Sequence, residues 1–213
     1  MNLVFDFGAV LIDWQPTQLV RAHFPDLTQT PREAQQLARS IFSHQDWHAF
    51  DRGQMTPEVV VRRTSERLTL PQAQLLGLVA GIGERLSPLD ESVDVLAELE
   101  GRRRLRGDVR LYFLSNMPAP YARTLEQRYV FLQWFDGGIF SGDAQCSKPD
   151  PAIFQLLQMR YALEPAQTLM IDDTKGNIEA ACALGWGGIQ FVSAQQLRSS
   201  LEDLLRKSDE ENS

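Results

Sequence analysis

Apolar residues fill Leu3, Val4 and Phe5 without a gap, and the run stops at Asp6 and then Gly8 before resuming at Ala9 to Ile12. A short run that is apolar at alternate and intervening positions alike predicts a central parallel strand covered on both faces, closed by a tight loop. The same signature returns at 109–114, ending at Ser115-Asn116, and at 168–171, ending at Asp172-Asp173. Shorter strands are predicted at 138–140 and 188–192. Between them, helical periods cover 121–129, 151–161 and 177–184, with Pro151 suited to a first turn and Gly185 to a C-terminal stop. Strands alternating with helices predict an α/β fold, a Rossmann-like doubly wound parallel sheet.

Residues 14–87 break the alternation. Helical stretches at 17–24, 31–42, 57–68 and 71–81 follow one another with no strand between them. This predicts a helical cap, 14–87, inserted into a core of 1–13 and 88–206, with linkers near Pro16 and Ser87-Pro88. The tail 207–213 carries no apolar residue and is expected to be flexible.

Charge narrows the partners. Against 28 acidic residues stand 21 basic ones, a net −7, which argues against nucleic acid. The only basic cluster, Arg102-Arg103-Arg104-Leu105-Arg106, precedes the second long strand and reads as a solvated helix end. The two cysteines, Cys146 and Cys182, have no zinc-like spacing and read as reduced, half-buried thiols. No apolar stretch is long enough for a bilayer, and Met1 leads directly into the first strand. These features predict a cytoplasmic protein with no membrane partner.

In open α/β sheets, ligands bind beyond the carboxyl ends of the strands. Asp6, Ser115-Asn116 and Asp172-Asp173 all fall there, and Lys148 follows in the loop Cys146-Ser147-Lys148-Pro149. Each alone is ordinary turn chemistry. Together they supply a carboxylate nucleophile, donors and a cation for a phosphoryl group, and paired acids that call for a hard cation such as Mg²⁺.

The order and spacing of Asp6, Ser115, Lys148 and Asp172-Asp173 resemble the four motifs of the haloacid dehalogenase superfamily of phosphohydrolases. The stretch from Asp172-Asp173-Thr174-Lys175-Gly176-Asn177 to Gly185 is especially similar to the fourth. The resemblance implies a Mg²⁺-dependent phosphatase of small phosphate esters. Asp6 and Lys148 would be catalytic, and Ser115, Asn116 and Lys148 would bind phosphate. Asp6, the Gly8 carbonyl, Asp173 and Asp172 would hold Mg²⁺, and Asn177 would support the loop. Gly8 departs from the pattern, because most such phosphatases carry a general-acid aspartate there. The variant resembles a bacterial subgroup that includes sugar-1-phosphate phosphatases, which brings sugar phosphates into view. Asp13 is one replacement for the missing acid, with a local turn bond as its plainer role.

Two rival functions stay open: a 2-haloacid dehalogenase, which needs neither metal nor acid, and a phosphate-binding module without turnover. Substrate choice is expected from the cap, where Trp47 and His48 lie in the polar and aromatic stretch His44 to Gly53. Trp47 suits either stacking on a substrate ring or a place in the cap core. His44 and His48 share a helical spacing, although no third metal ligand accompanies them. His23 completes the histidines.

Overall fold

The computed structural model describes residues 1–211. Five strands, β1 (Asn2–Phe5), β2 (Arg110–Ser115), β3 (Gly137–Phe140), β4 (Thr168–Asp172) and β5 (Gly187–Gln190), form one parallel sheet in the order β3-β2-β1-β4-β5. The alternation seen in the sequence becomes two apolar layers. Leu3, Phe5 and Leu111 point to one face, whereas Val4, Tyr112, Leu114 and Met170 point to the other. Both layers are covered by helices, so β1 is buried from Leu3 onward.

The chain winds outward from β1 in both directions, which makes the gap between β1 and β4 the point where strand order reverses. Phe5 is in register with Phe113 on one side and Ile171 on the other. The next residues, Asp6 and Asp172, therefore emerge side by side, and Asp6 N–H donates to Ile171 O at 2.9 Å.

After β1 the backbone folds back on itself. The amides of Val10, Leu11 and Ile12 converge on Phe7 O, and Ala9 takes a left-handed φ of 58°. Six helices follow without a strand: α1 (Pro16–His23), α2 (Pro31–Phe42), α3 (Gln45–Asp51), α4 (Pro57–Leu68), α5 (Gln72–Ala80) and α6 (Ile82–Arg85). α2 starts as its sequence dictates. Pro31 occupies the first turn, and Thr30 and Glu33 exchange hydrogen bonds in a capping box. The chain leaves and re-enters the sheet layer at a short stem, where Asp13 N–H donates to Ser87 O (2.8 Å) and Leu89 N–H to Leu11 O (2.9 Å). The apolar side chains of this insert join the same cluster as one face of the sheet.

The remaining helices are α7 (Asp90–Arg106), α8 (Ala119–Arg128), α9 (Ser141–Ala144), α10 (Pro151–Tyr161), α11 (Lys175–Ala183) and α12 (Ala194–Glu211). The basic run ends α7 and is laced with acids: Arg102 binds Asp108, Arg103 binds Glu100 and Asp136, and Arg104 binds Glu100. Helix α12 runs on to Glu211, over the first five residues of the tail expected to be flexible. Polarity alone does not end a helix, and the segment 207–211 contains neither Gly nor Pro. Asn212 and Ser213, the rest of that predicted tail, lie outside the described residues. Cys182 is exposed rather than half-buried. Among the described residues, no helix is long and apolar enough to cross a membrane.

Candidate active site

The strand ends bring four groups into one buried cluster. Lys148, with its side chain 1% exposed, reaches back from the loop after α9 and places Nζ 2.9 Å from Asp6 Oδ1 and 2.5 Å from Asp172 Oδ2. Asp172 is saturated. Its oxygens also accept from Thr174 N–H (2.8 Å) and from Asn177 Nδ2 (2.9 and 3.0 Å). Asp6 Oδ1 accepts from Phe7 N–H at 2.7 Å, and among the described residues nothing donates to Oδ2. Asp6 thus has one oxygen tied down and one without a donor, whereas Asp172 holds Lys148 and Asn177 in place.

Electrostatics follow from this burial. Loss of solvent pushes the Asp6 carboxyl up to about 7, opposed by Lys148 and reinforced by the neighbouring Asp172. Burial also works against charge on Lys148, but the two carboxylates outweigh it and hold the ammonium above its ordinary range. Asp173 is raised as well, first by burial and then by Asp172. Carboxylate oxygens of Asp6, Asp172 and Asp173 come within 4.8 Å of one another. An all-oxygen, anionic donor set with one unsatisfied oxygen on Asp6 fits a hard divalent cation such as Mg²⁺.

Asn116 does something that its sequence position did not disclose. Its Nδ2 donates to Lys148 O (2.9 Å), and its Oδ1 accepts from Lys148 N–H (2.8 Å), so one amide clamps both backbone groups of the lysine. Ser115, expected beside the phosphate, is buried at the end of β2 and does not line the cleft. Asp13 lies elsewhere. It accepts from Gln15 Nε2 and borders a separate pocket with Gln18 and Leu19.

Above the cluster opens a cleft of about 510 Å³, lined on its core side by Asp6, Gly8, Asn116, Lys148, Asp173 and Asn177. Its cap side is apolar, formed by Trp14, Phe42, Trp47, Ile82 and Leu86, with Ser43, His48 and Asp51 as the polar exceptions, and Tyr121 of α8 adds an aromatic wall from the core. Trp47 is buried edge-on between Phe42 and Phe50 (ring centroids 4.6 and 5.4 Å). His48 is half exposed, with Nδ1 4.0 Å from Asp51 Oδ2. His44 instead caps α3, accepting from Asp46 N–H through Nδ1. Among the described residues, the Asp6, Asp172 and Asp173 group is the one cluster with metal-holding geometry.

Asp51 escaped the sequence reading. It ends α3, where the helix dipole disfavours a carboxylate, and burial pushes its carboxyl up to about 8. An acid at a helix C-terminus within an aromatic stretch was the available signal.

Known proteins share this architecture. A protein of Porphyromonas gingivalis described as a predicted HAD-like family hydrolase superposes with a TM-score of 0.71 at 23% identity, covering 96% of this chain and 97% of that one. A HAD family enzyme of Bacteroides thetaiotaomicron, solved in complex with magnesium and inorganic phosphate, superposes with a TM-score of 0.67 at 20% identity, over 88% and 92% of the chains. Among curated relatives, the sesquiterpene phosphatase astK of Aspergillus oryzae (strain ATCC 42149 / RIB 40) is 24% identical over 202 residues, 95% of each chain. The profile of haloacid dehalogenase-like hydrolases matches residues 3–185. That match takes in β1, the insert and every strand end of the cluster, and the chain is a hydrolase that belongs to the haloacid dehalogenase-like hydrolase family.

Proposed function

We propose that the chain is a Mg²⁺-dependent phosphomonoesterase working through an aspartyl-phosphate on Asp6. The observation that carries this reading is the Lys148 ammonium between Asp6 and Asp172, which leaves Asp6 Oδ2 unpaired beside the cleft. Oδ2 attacks phosphorus, the ester P–O bond breaks, and its electron pair leaves with the alcohol oxygen. Water then attacks the phosphoryl group, which releases inorganic phosphate and restores the Asp6 carboxylate. Lys148 holds Asp6 in line and offsets charge gathering on the phosphoryl oxygens. Asp6, Asp173, the Gly8 carbonyl and, behind them, Asp172 would hold Mg²⁺, which when bound supplies positive charge against the phosphoryl oxygens. Asn116 positions Lys148, and Asn177 positions Asp172.

The cap side of the cleft favours an ester whose organic part is largely apolar over a sugar. A sugar ring brings several hydroxyls, and each one buried without a partner costs about 1–3 kcal/mol. Ser43, His48 and Asp51 are few partners to meet them. The fungal relative named for a sesquiterpene substrate points the same way. A haloacid substrate is disfavoured because its carboxylate would face Asp173 as well as Asp6.

The test is a phosphatase screen over aryl, prenyl, sugar and nucleotide monophosphates, with Mg²⁺ and with EDTA, alongside Asp6→Asn. We expect Mg²⁺-dependent phosphate release, strongest for the aryl and prenyl esters and absent in Asp6→Asn. Halide release from haloacids in EDTA, without phosphatase activity, would overturn the reading.

A further inference from the structure

Position 8 poses a chemical problem: an alcohol leaving from phosphorus needs a proton, and Gly8 has no side chain to give it. Space does not explain the glycine, since a Cβ there would meet only Trp14 Cβ, at 4.0 Å. The room above Gly8 belongs to the cleft, so the proton must come from another wall.

Resting on the phosphatase reading, we propose that Asp51, delivered by the cap, is the general acid of this enzyme. Asp51 lines the same cleft as Asp6 and Gly8, and within the cleft it is the one carboxyl outside the Asp6, Asp172 and Asp173 cluster. Its position is set by the core rather than by the cap alone. Ser141 Oγ donates to Asp51 O (2.5 Å) and accepts from Met117 N–H (2.8 Å), and Met117 follows the Asn116 that clamps Lys148. Two residues on, Gly53 packs so closely on Gly142 that a Cβ would sit 2.2 Å from the Gly142 carbonyl oxygen. Asp51 therefore rides on the framework that holds the lysine, and Gln54 Nε2, donating to Gln145 O at 3.1 Å, adds a further tie beside it.

The surroundings keep the carboxyl protonated until it is used. From α3 it faces His48, 4.0 Å away, and the following Arg52, whose Nε is spent on Gln54 Oε1. From α8 it faces Tyr121, whose hydroxyl donates to Val79 O. From α9 the acid Asp143 is engaged by Arg123. Burial dominates this balance and holds the proton at neutral pH.

In the first step Asp6 Oδ2 bonds to phosphorus, the ester P–O bond breaks, and the departing oxygen takes the Asp51 proton. In the second, the Asp51 carboxylate takes a proton from the water that attacks the aspartyl-phosphate. Phosphate leaves, and both aspartates return to their starting forms.

The test compares kcat/KM for nitrophenyl phosphate, whose phenolate leaves unaided, with that for phenethyl phosphate, whose alkoxide does not. Because kcat/KM reports steps only through leaving-group departure, it isolates the acid. Asp51→Asn, near-isosteric with the protonated acid, should lower the phenethyl value by about 10²- to 10⁴-fold and the nitrophenyl value by less than about ten-fold. In the unmutated enzyme the phenethyl-to-nitrophenyl ratio should fall as pH rises from about 6 to about 9. Equal losses on both esters, or no loss on either, would overturn the assignment. If Asp51→Asn fails to fold by circular dichroism, the wild-type ratio decides, and a ratio flat with pH overturns it. Absence of Mg²⁺-dependent turnover of either ester by the wild type would be a failure of the phosphatase reading itself, and this proposal would fall with it.

Discussion

Replacing Asn116 by Ala removes both hydrogen bonds that its amide makes to the backbone of Lys148, at 2.9 and 2.8 Å. At about 0.5–1.5 kcal/mol net for each bond, the direct loss is about 1–3 kcal/mol. For a chain of this size, each kcal/mol moves Tm by about 2–4 °C, so a drop centred near 6 °C is expected. The effect on chemistry should be larger than the effect on stability. Lys148 Nζ spans Asp6 and Asp172 only while its backbone is held, and a drift of about 1 Å costs on the order of 10²-fold in rate. Asn116→Asp sharpens the comparison. It keeps an acceptor for Lys148 N–H but sets a carboxylate against Lys148 O, so it should do no better than Ala. Urea unfolding followed by tryptophan fluorescence gives the stability, and nitrophenyl phosphate turnover at saturating Mg²⁺ gives the rate. An Asn116→Ala protein with wild-type stability and kcat, but weaker inhibition by inorganic phosphate, would refute the clamp and give the amide to the substrate instead.

Three further outcomes are expected. Asp173→Ala should lose Mg²⁺-stimulated turnover while remaining folded, because it removes a cleft-facing carboxylate without disturbing the Lys148 contacts; isothermal titration with Mg²⁺ checks it. The Asp51 carboxyl, raised from 3.8 to about 8, makes the folded state bind a proton that the unfolded state releases. Its contribution is full below about pH 4 and fades as pH rises towards about 8, by up to about 1.4 kcal/mol per pH unit. Asp51→Asn should therefore match wild type in urea midpoint at pH 4 and exceed it at pH 9; a constant offset would contradict this. Trp47→Ala should cost about 3–5 kcal/mol by emptying the space between Phe42 and Phe50, so Trp47→Phe is the variant in which a change of substrate preference is readable.

The central strands were legible because burial on both faces leaves a continuous apolar run, as at Leu3-Val4-Phe5, which no surface element imitates. The polar residues that end those runs were legible by contrast with them, although Asp6, Ser115 and Asp172 are themselves buried. Helix α3 was not. Seven residues mixing Trp47 and Phe50 with Asp46, His48 and Asp51 complete barely two turns, too few for a period to emerge. The pair of hydrogen bonds between Asn116 and Lys148 spans 32 residues and exists only once β2 and the loop after α9 are packed. Ser-Asn at a strand end gave two polar residues, and chain order does not say that one is buried while the other turns to grip a backbone. Asp51 became conspicuous through burial, a property of its neighbours in space.

The stem of the insert has a bearing on how such enzymes diversify. Asp13 and Ser87 are hydrogen-bonded neighbours, so 73 residues intervene between two backbone points already in contact. For a segment anchored in this way, doubling its length costs only about 0.6 kcal/mol in closure entropy. In closure entropy alone, the stem scarcely registers whether a short hairpin or a larger bundle hangs from it. Selection can lengthen, trim or exchange the hanging part as a cassette while the reaction centre below stays constant. What it cannot exchange freely, on this structure, is the short piece around Asp51 and Gly53, because Ser141 Oγ grips the Asp51 carbonyl and Gly53 packs directly on the Gly142 backbone. New substrate preferences should accumulate in the part of the cassette away from that seat, beginning with the aromatic wall of Trp14, Phe42 and Trp47.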